Sequence, residues 1–155
     1  MKNWLAWLQQ LLHKNNLPRW LVLSGLALSL LGFADASYLS IERLSGRIPP
    51  CIITGGCDTV TKSSYSSFGP IPVSVVGSVF YLTVLVLFFG SLVNKDNRLA
   101  VLALRLSPFG FLFSLYFLFI QAFVLHAYCI YCLGSFATST LIFALAVYAK
   151  IKKQI

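Results

Sequence analysis

The fold of this chain is decided by residues 99–149, which read LAVLALRLSPFGFLFSLYFLFIQAFVL-HA-YCIYCLGSFATSTLIFALAVYA. Two apolar runs, Leu99 to Leu125 and Tyr128 to Ala149, make up nearly all of this stretch. Roughly 20 residues of helix cross a hydrocarbon core about 30 Å thick, so each run is long enough to span a membrane. Because hardly any residues separate the two runs, we expect antiparallel neighbouring helices joined by a tight turn.

Two more apolar runs, Trp20 to Ile41 and Pro72 to Val93, are also long enough to cross a membrane. Apolar residues make up 58% of the chain and charged residues only 10%, whereas about a quarter of the residues in a soluble domain are charged. In lipid, every backbone N–H and C=O must be paired within the protein, which favours helices. The sequence therefore predicts an all-α membrane protein, a single domain over residues 1–155 built as a bundle of four transmembrane helices.

Lysine and arginine residues predict the orientation of the bundle, because positively charged flanks are retained on the cytoplasmic side. With both termini inside, the inside segments hold nine basic residues: Lys2, Lys14, Arg19, Lys95, Arg98, Arg105, Lys150, Lys152 and Lys153. The outer loops then hold three: Arg43, Arg47 and Lys62. This asymmetry predicts cytoplasmic N- and C-termini, and it places every cysteine of the chain on the outer side.

The formal net charge of +8 therefore mostly reflects the basic residues that set the orientation of the helices in the membrane. The basic residues cluster at helix ends rather than on one groove-sized face, so we expect a lipid bilayer around the chain and no nucleic-acid partner. An outer compartment such as the periplasm allows disulfides to persist, whereas thiols on the inside are kept reduced. These features are typical of a multi-pass protein of the bacterial cytoplasmic membrane.

The N-terminal segment, residues 1–18, has an apolar stripe of its own at helical spacing: Trp4, Trp7, Leu8, Leu11 and Leu12. The stripe predicts an amphipathic helix that lies in the cytoplasmic interface of the membrane. A competing interpretation is a cleaved signal peptide that ends at the small-residue pattern Ala34-Asp35-Ala36. The length of the lead-in segment and the renewed apolar character from Tyr38 to Ile41 favour the amphipathic helix.

The outer loop over residues 42–71 is the one long connection between the predicted helices. At roughly 30 residues it exceeds what a passive link requires, and loops of this length are usually functional or disordered. It contains the bracket Cys51-Ile-Ile-Thr-Gly-Gly-Cys57, which its two glycines make flexible. From Asp58 to Ser67 we expect a short capping helix with Asp58 as its N-cap.

The four cysteines form two pairs. Cys129 and Cys132 lie three residues apart at the first turn of the fourth predicted helix. At that spacing they share a helix face and can form a disulfide, and the helix macrodipole stabilises a thiolate there. Cys51 and Cys57 flank a segment loose enough for either sulfur to reach a second partner. Two pairs on one side of a membrane allow thiol–disulfide exchange from one pair to the other.

Other roles for the four cysteines stay open at this point. Two structural disulfides would add little stability where the closed loop is so short. An all-thiolate zinc site would have only Asp58 and His126 as supporting polar groups. A small membrane metal-handling or carrier protein would use the cysteines as soft ligands. Asp35, inside the first predicted helix, is a costly intramembrane carboxylate whose role, structural or functional, is also open.

Four motifs, taken in order, resemble the vitamin K epoxide reductase family in its bacterial form. They are Cys51-x5-Cys57, Cys57-Asp-Thr-Val60-Thr-Lys-Ser63-Ser-Tyr65, Phe68-Gly69-x-x-Pro72-Val73-Ser74-x-x-Gly77 and Cys129-Ile-Tyr-Cys132. The resemblance extends from Asp35-Ala-Ser-Tyr38 to the end of the fourth predicted helix. It implies a four-helix bundle that binds a quinone near its outer end, under a cap formed by the first loop. It also implies that electrons move to this quinone from a thioredoxin-fold protein.

The resemblance further implies roles for individual residues. Cys51 would face the reduced partner protein. Cys57 would then pass electrons to Cys129, and Cys132 would reduce the quinone without any metal. The residues expected to contact the quinone are Ser63, Val73, Phe80 and Phe136.

Two of these residues depart from the animal members of the family, which have asparagine where this chain has Val73 and tyrosine where it has Phe136. The missing polar groups would hydrogen-bond the quinone oxygens, so we expect ubiquinone or menaquinone held by shape, and no epoxide reduction. The chain stops at Ile155 without the fused thioredoxin-like domain of many bacterial relatives, so we expect the redox partner to be a separate protein. The predicted function is a membrane thiol:quinone oxidoreductase that reoxidises this partner and supports disulfide bond formation.

Overall fold

The computed structural model describes residues 17–47, 49–50 and 55–152, apart from the side chain of Phe68. Within these residues four helices are long and apolar enough to cross a membrane. They are α1 (Arg19–Leu44), α3 (Val73–Asn94), α4 (Asn97–Phe119) and α5 (Ile130–Ile151). A short helix, α2 (Cys57–Lys62), lies between the first two. The predicted all-α membrane bundle with a short capping helix is confirmed, while nearly all of the predicted amphipathic N-terminal segment lies outside the described residues.

Helices α1 and α3 pack closely because α1 presents a row of small buried residues: Gly25, Ser29, Gly32, Ala36 and Ser40. The ring of Phe88 lies so close to Gly25 that a Cβ there would collide with it. Tyr81 covers Gly32 in the same way. Small residues of this kind let membrane helices approach each other closely. We call this contact the α1–α3 seam.

Helix α4 continues through Pro108, whose nitrogen cannot donate to the carbonyl of Leu104. Ser107 Oγ donates to that carbonyl instead, at 2.7 Å. Helix α4 is also joined to α5 by a hydrogen bond from Ser139 Oγ to Ser114 Oγ at 3.0 Å. Serine hydroxyls therefore supply hydrogen bonds that the backbone of these apolar helices does not supply.

The connection between α4 and α5 is short, as predicted. It begins with a π-helical turn, Ile120–Val124. The backbone N–H of Ala127 donates to the carbonyl of Gln121 at 3.1 Å, and His126 adopts a left-handed conformation with φ of 48°. We call residues 120–129 the α4–α5 turn, and it makes α4 and α5 antiparallel neighbours.

The capping helix differs in detail from its prediction. Its N-cap residue is Gly56, without a side-chain cap, and the predicted cap by Asp58 is wrong. Asp58 lies inside the first turn, where its Oδ1 is 2.7 Å from Lys62 Nζ. The physical reason is a contact with the α4–α5 turn, because a Cβ on Gly56 would lie 2.7 Å from the carbonyl oxygen of Tyr128. This close approach holds the chain at Gly56, so the helix begins at Cys57.

The predicted helix up to Ser67 also ends early, at Lys62. After it come a 3₁₀ turn and a two-stranded hairpin: Ser64–Ser66, β1 (Ser67–Phe68) and β2 (Ile71–Pro72). Arg43 of α1 donates from Nη2 to Ser66 Oγ at 3.0 Å. The capping segment, residues 56–72, is thereby tied to α1. It covers the end of the bundle where the described cysteines lie, which we call the cysteine end.

Candidate functional site

Two sulfur atoms meet at the cysteine end of the bundle. Cys57 of α2 and Cys129, the N-cap residue of α5, are both fully buried, and their Sγ atoms lie 3.4 Å apart. Cys57 is disulfide-bonded, whereas Cys129 and Cys132 are free thiols. A disulfide sulfur carries no proton, so in this contact the Cys129 thiol donates and Cys57 accepts. Cys51, predicted to pair with Cys57, lies outside the described residues.

The capping segment holds Cys57 in place. The backbone of Gly56 lies against the backbone of Tyr128 without room for a side chain between them. Thr61 Oγ1 donates to the carbonyl of Cys57 at 2.6 Å, and Val60 packs in the same apolar cluster as the two sulfurs. Gly56 therefore provides a close approach between two segments, while the predicted flexibility of the Cys51–Cys57 bracket stays a prediction because residues 51–54 lie outside the described ranges.

Gln121 positions Cys129 from the π-helical turn. Its side chain is 2% exposed, and its Oε1 accepts the backbone N–H of Cys129 at 2.9 Å. The carbonyl of Cys129 in turn accepts the N–H of Leu133 at 3.0 Å, which begins α5. A π-helical turn like the one that carries Gln121 often occurs at a functional site. No role is predicted above for Gln121, although a polar side chain inside an apolar span is a signal in itself.

The pKa of Cys129 is lowered from 9.0 to about 7. The largest cause is a hydrogen bond from the thiol of Cys132, which burial opposes and the backbone N–H groups of Cys132 and Tyr131 reinforce. Such N–H groups have no partner within the helix itself, because they belong to its first turn. A thiol with this pKa is about half ionised at neutral pH, and the thiolate is the nucleophile in thiol–disulfide exchange.

A cavity of about 220 Å³ lies beside the cysteines, with walls contributed by α2 and by all four long helices. Cys132 lies on its wall, whereas Cys129 does not. Most of the lining is apolar and includes Val73 and Phe80, two of the residues predicted to contact a quinone. Phe80 packs over Gly110 of α4, where a Cβ would collide with its ring. The geometry therefore brings together one cysteine and two of the predicted contact residues.

The other two predicted quinone contacts lie elsewhere. Ser63 Oγ donates to a backbone carbonyl within the capping segment at 2.8 Å and lines a separate recess of about 20 Å³. Phe136 packs against Phe111, with ring centroids 6.2 Å apart. Neither side chain is part of the wall that holds Cys132. Their contact with a quinone stays a prediction without support from the cavity, and the capping-segment serine on its wall is Ser66.

Two tyrosines on the cavity wall have no predicted role. The hydroxyl of Tyr81 donates to the carbonyl of Ser135 at 2.7 Å and lies 2.8 Å from Thr138 Oγ1. A buried tyrosine usually finds such a partner, and this one joins α3 to α5. The hydroxyl of Tyr131 donates to the carbonyl of Pro50 at 3.3 Å. Polar side chains thus lie on the cavity wall at positions other than Val73 and Phe136.

The described part of the cavity wall carries one acidic and one basic side chain, Asp35 and Arg43. Arg43 is the residue that donates to the capping segment. Asp35 is half-buried and faces Gly134 of α5, where an added Cβ would lie 3.6 Å from its Oδ1. No group of three or more His, Cys, Asp or Glu side chains within residues 17–47, 49–50 and 55–152 is arranged to hold a metal ion. An all-thiolate site would need Cys51, which lies outside these ranges.

Comparison with known proteins agrees with this geometry. Residues 23–147 match the model of the Vitamin K epoxide reductase family. The matched range covers most of the chain and contains all four cysteines. No individual curated protein matches the chain. The protein belongs to the vitamin K epoxide reductase family, which implies a membrane thiol–disulfide/quinone oxidoreductase in general.

Proposed function

We propose that this protein is a thiol:quinone oxidoreductase that reoxidises a separate dithiol protein of the thioredoxin fold and passes the electrons to a membrane quinone. The observation that carries the proposal is the 3.4 Å distance between the buried sulfurs of Cys57 and Cys129. One sulfur belongs to the capping segment, and the other lies next to the apolar cavity. Exchange between them would connect a surface loop with a quinone site inside the membrane.

The proposed electron path runs through two exchanges. A reduced partner first reduces the loop pair, Cys51 and Cys57. The Cys57 thiolate then attacks Cys129 of the Cys129–Cys132 disulfide, so that a Cys57–Cys129 bond forms and the Cys132 thiolate leaves. Cys51 next attacks Cys57 and releases Cys129. Both electrons then reside on Cys129 and Cys132, and the free thiols of these residues correspond to this stage of the path.

Cys132 is the electron donor to the quinone in this proposal because it lies on the cavity wall. The dithiol gives up two electrons and two protons and forms one S–S bond, and the quinone takes up both electrons and both protons to become a quinol. A cavity of about 220 Å³ suits a quinone head group, with the tail extending into lipid. The apolar side chains of Val73 and Phe80 support a ubiquinone or menaquinone held by shape.

The proposed location is the bacterial cytoplasmic membrane, with the cysteine end facing outward. The described basic residues of the segments assigned to the opposite end are Arg19, Lys95, Arg98, Arg105, Lys150 and Lys152. Those at the cysteine end are Arg43, Arg47 and Lys62. Positively charged flanks are retained in the cytoplasm, so this difference supports cytoplasmic termini. The cysteines would then face a compartment in which disulfides persist.

The test is quinone reduction by the purified protein in lipid nanodiscs. With menaquinone or ubiquinone and a reduced thioredoxin-fold protein, the wild type is expected to form quinol and oxidised partner in equal amounts. Cys132→Ala is expected to abolish quinol formation, because Cys129 then has no second thiol with which to form a disulfide. Thr83→Ala, on an exposed part of α3, is the matched control and is expected to turn over like the wild type.

Normal quinone reduction by Cys132→Ala would overturn the proposal. Stoichiometric binding of copper or zinc by the reduced wild type, with no quinone turnover, would also overturn it. That second result would instead favour a metal-handling protein that uses its cysteines as soft ligands. The two results are separable, because metal binding is measured on the reduced protein before any quinone is added.

A further inference from the structure

Asp35 is an acidic side chain on the wall of the cavity that holds Cys132. It belongs to α1, a helix long and apolar enough to span a membrane, and it is half-buried. An ionisable group within a membrane span is costly and usually has either a partner or a function. Among the described residues, Asp35 has no hydrogen bond and no salt bridge. Its position therefore calls for a function rather than a structural pairing.

The surroundings of Asp35 leave its carboxylate open to the cavity. Gly134 of α5 has no side chain to block it, and an added Cβ there would lie 3.6 Å from Oδ1. Arg43, the basic residue on the same wall, lies about two turns further along α1. Arg43 donates to Ser66 Oγ, and within the described residues no salt bridge joins it to Asp35.

The other titratable groups on the described cavity wall are Cys132, Tyr131 and Tyr81. The hydroxyls of both tyrosines donate to backbone carbonyls, those of Pro50 and Ser135. General acid–base catalysis requires a group that both takes up and releases a proton near the working pH. Apart from Cys132, Asp35 is the described wall residue whose side chain is suited to that exchange.

We propose that Asp35 is a catalytic proton-transfer residue in quinone reduction, an inference that rests on the proposed function. The carboxylate accepts the thiol proton of Cys132 as electrons pass from that sulfur to the quinone. It then donates this proton to a quinone oxygen and returns to its carboxylate form. The S–S bond forms between Cys132 and Cys129, and the second quinol proton comes from the Cys129 thiol, or from water when Cys129 is already ionised. Both electrons come from the dithiol, and the quinone is the only oxidant.

The test measures quinone reduction and thiol exchange separately in Asp35→Asn, Asp35→Glu and Glu42→Gln. Glu42 is a carboxylate on the same helix that is not part of the cavity wall, so Glu42→Gln is the matched control. In the first experiment, reduced protein is mixed with menaquinone in a single turnover. In the second, oxidised protein is mixed with the reduced partner without quinone. Quinone affinity and thermal unfolding are measured for each variant.

Asp35→Asn is expected to slow quinone reduction by about 100-fold, the low end of the usual contribution of a positioned acid or base, while partner oxidation and quinone affinity stay within about twofold of wild type. Asp35→Glu is expected to retain much of the wild-type rate, because it keeps a carboxylate near the same place. Glu42→Gln is expected to behave like the wild type in both experiments.

Quinone reduction by Asp35→Asn at the wild-type rate would overturn this inference and leave the proposed function intact. A parallel loss of partner oxidation, quinone affinity or thermal stability in Asp35→Asn would indicate a structural role and would also overturn it. A wild-type protein that reduces no quinone would overturn both the inference and the proposed function. These results can be told apart, because the first two are seen in Asp35→Asn and the third is seen in the wild type.

Discussion

Two helix contacts in this bundle differ in kind. The α1–α3 seam is regular, with small residues on α1 facing aromatic rings, as Gly25 faces Phe88. The α4–α5 turn is irregular, with a π-helical turn, a left-handed residue and the buried side chain of Gln121. The seam serves packing, whereas the turn holds Cys129 at 3.4 Å from Cys57. In this protein, departures from regular helix geometry mark the place where Cys57 and Cys129 meet.

Gly56→Ala is expected to have the largest effect on this comparison. The added Cβ would lie 2.7 Å from the carbonyl oxygen and 2.8 Å from the nitrogen of Tyr128, and backbone atoms cannot easily give way. The capping segment must then move and carry Cys57 away from Cys129. A misplacement of about 1 Å can cost about 100-fold in rate, so we expect electron transfer between the pairs to slow by about that factor. Rapid quenching with a thiol-alkylating reagent measures this rate.

The matched substitution in the seam is Gly25→Ala. Its Cβ would collide with the ring of Phe88, and overpacking of this kind typically costs about 1–3 kcal/mol in the free energy of unfolding. Because neither Gly25 nor Phe88 is part of the cavity wall that holds Cys132, we expect the transfer rate of the folded protein to stay close to that of wild type. Equal slowing by Gly25→Ala and Gly56→Ala would show that the two contacts do not differ in function.

Gln121→Leu is expected to have the second-largest effect. It removes the acceptor of the Cys129 N–H, and a buried N–H without a partner costs about 1–3 kcal/mol. Since 1.36 kcal/mol corresponds to a factor of ten in rate, we expect transfer between the pairs to slow roughly tenfold. Gln121→Glu keeps the acceptor but adds a negative charge, so it is expected to raise the pKa of Cys129. A Gln121→Leu protein with wild-type rates at every pH would exclude a positioning role.

The regular parts of the bundle were predictable from sequence for a simple reason. The bilayer sets the length of a membrane helix, and an apolar run of that length is visible without knowledge of any other segment. The same holds for Cys129 and Cys132, whose spacing and place at the start of an apolar run indicate a helix N-terminus. The coarse fold and one half of the candidate site depend only on such local patterns.

The irregular parts depend on contacts between distant segments, which no local pattern shows. Gly56 lies against Tyr128, although a long stretch of chain separates the two residues. This contact also explains why the predicted cap by Asp58 is wrong, because tertiary packing outweighs a local capping preference. Ser66, rather than Ser63, lies on the cavity wall for a similar reason, since its hydrogen bond with Arg43 ties the 3₁₀ turn to α1.

The pH dependence of Cys129 is expected to give the smallest effect. With a pKa of about 7, Cys129 is the thiolate in about half of the molecules at pH 7 and in about a tenth at pH 6. Attack of Cys129 on the disulfide sulfur of Cys57, the reverse transfer, is therefore expected to slow about fivefold over that interval. An ordinary thiol with a pKa of 9.0 would instead gain most of its rate at higher pH. The lowered pKa also stabilises the folded, reduced protein above pH 9, and this contribution is lost as the pH falls through about 7.

Cys132→Ala shows whether the neighbouring thiol causes this shift. Its thiol donates the hydrogen bond that lowers the pKa of Cys129 most, so its removal is expected to move that pKa up toward 9.0. Ultraviolet absorbance of the thiolate follows the titration without requiring a reagent to reach the buried sulfur. An unchanged midpoint in Cys132→Ala would mean that the backbone N–H groups at the start of α5 set the pKa. The irregular turn would then control where Cys129 lies, and the regular helix that follows would control its charge.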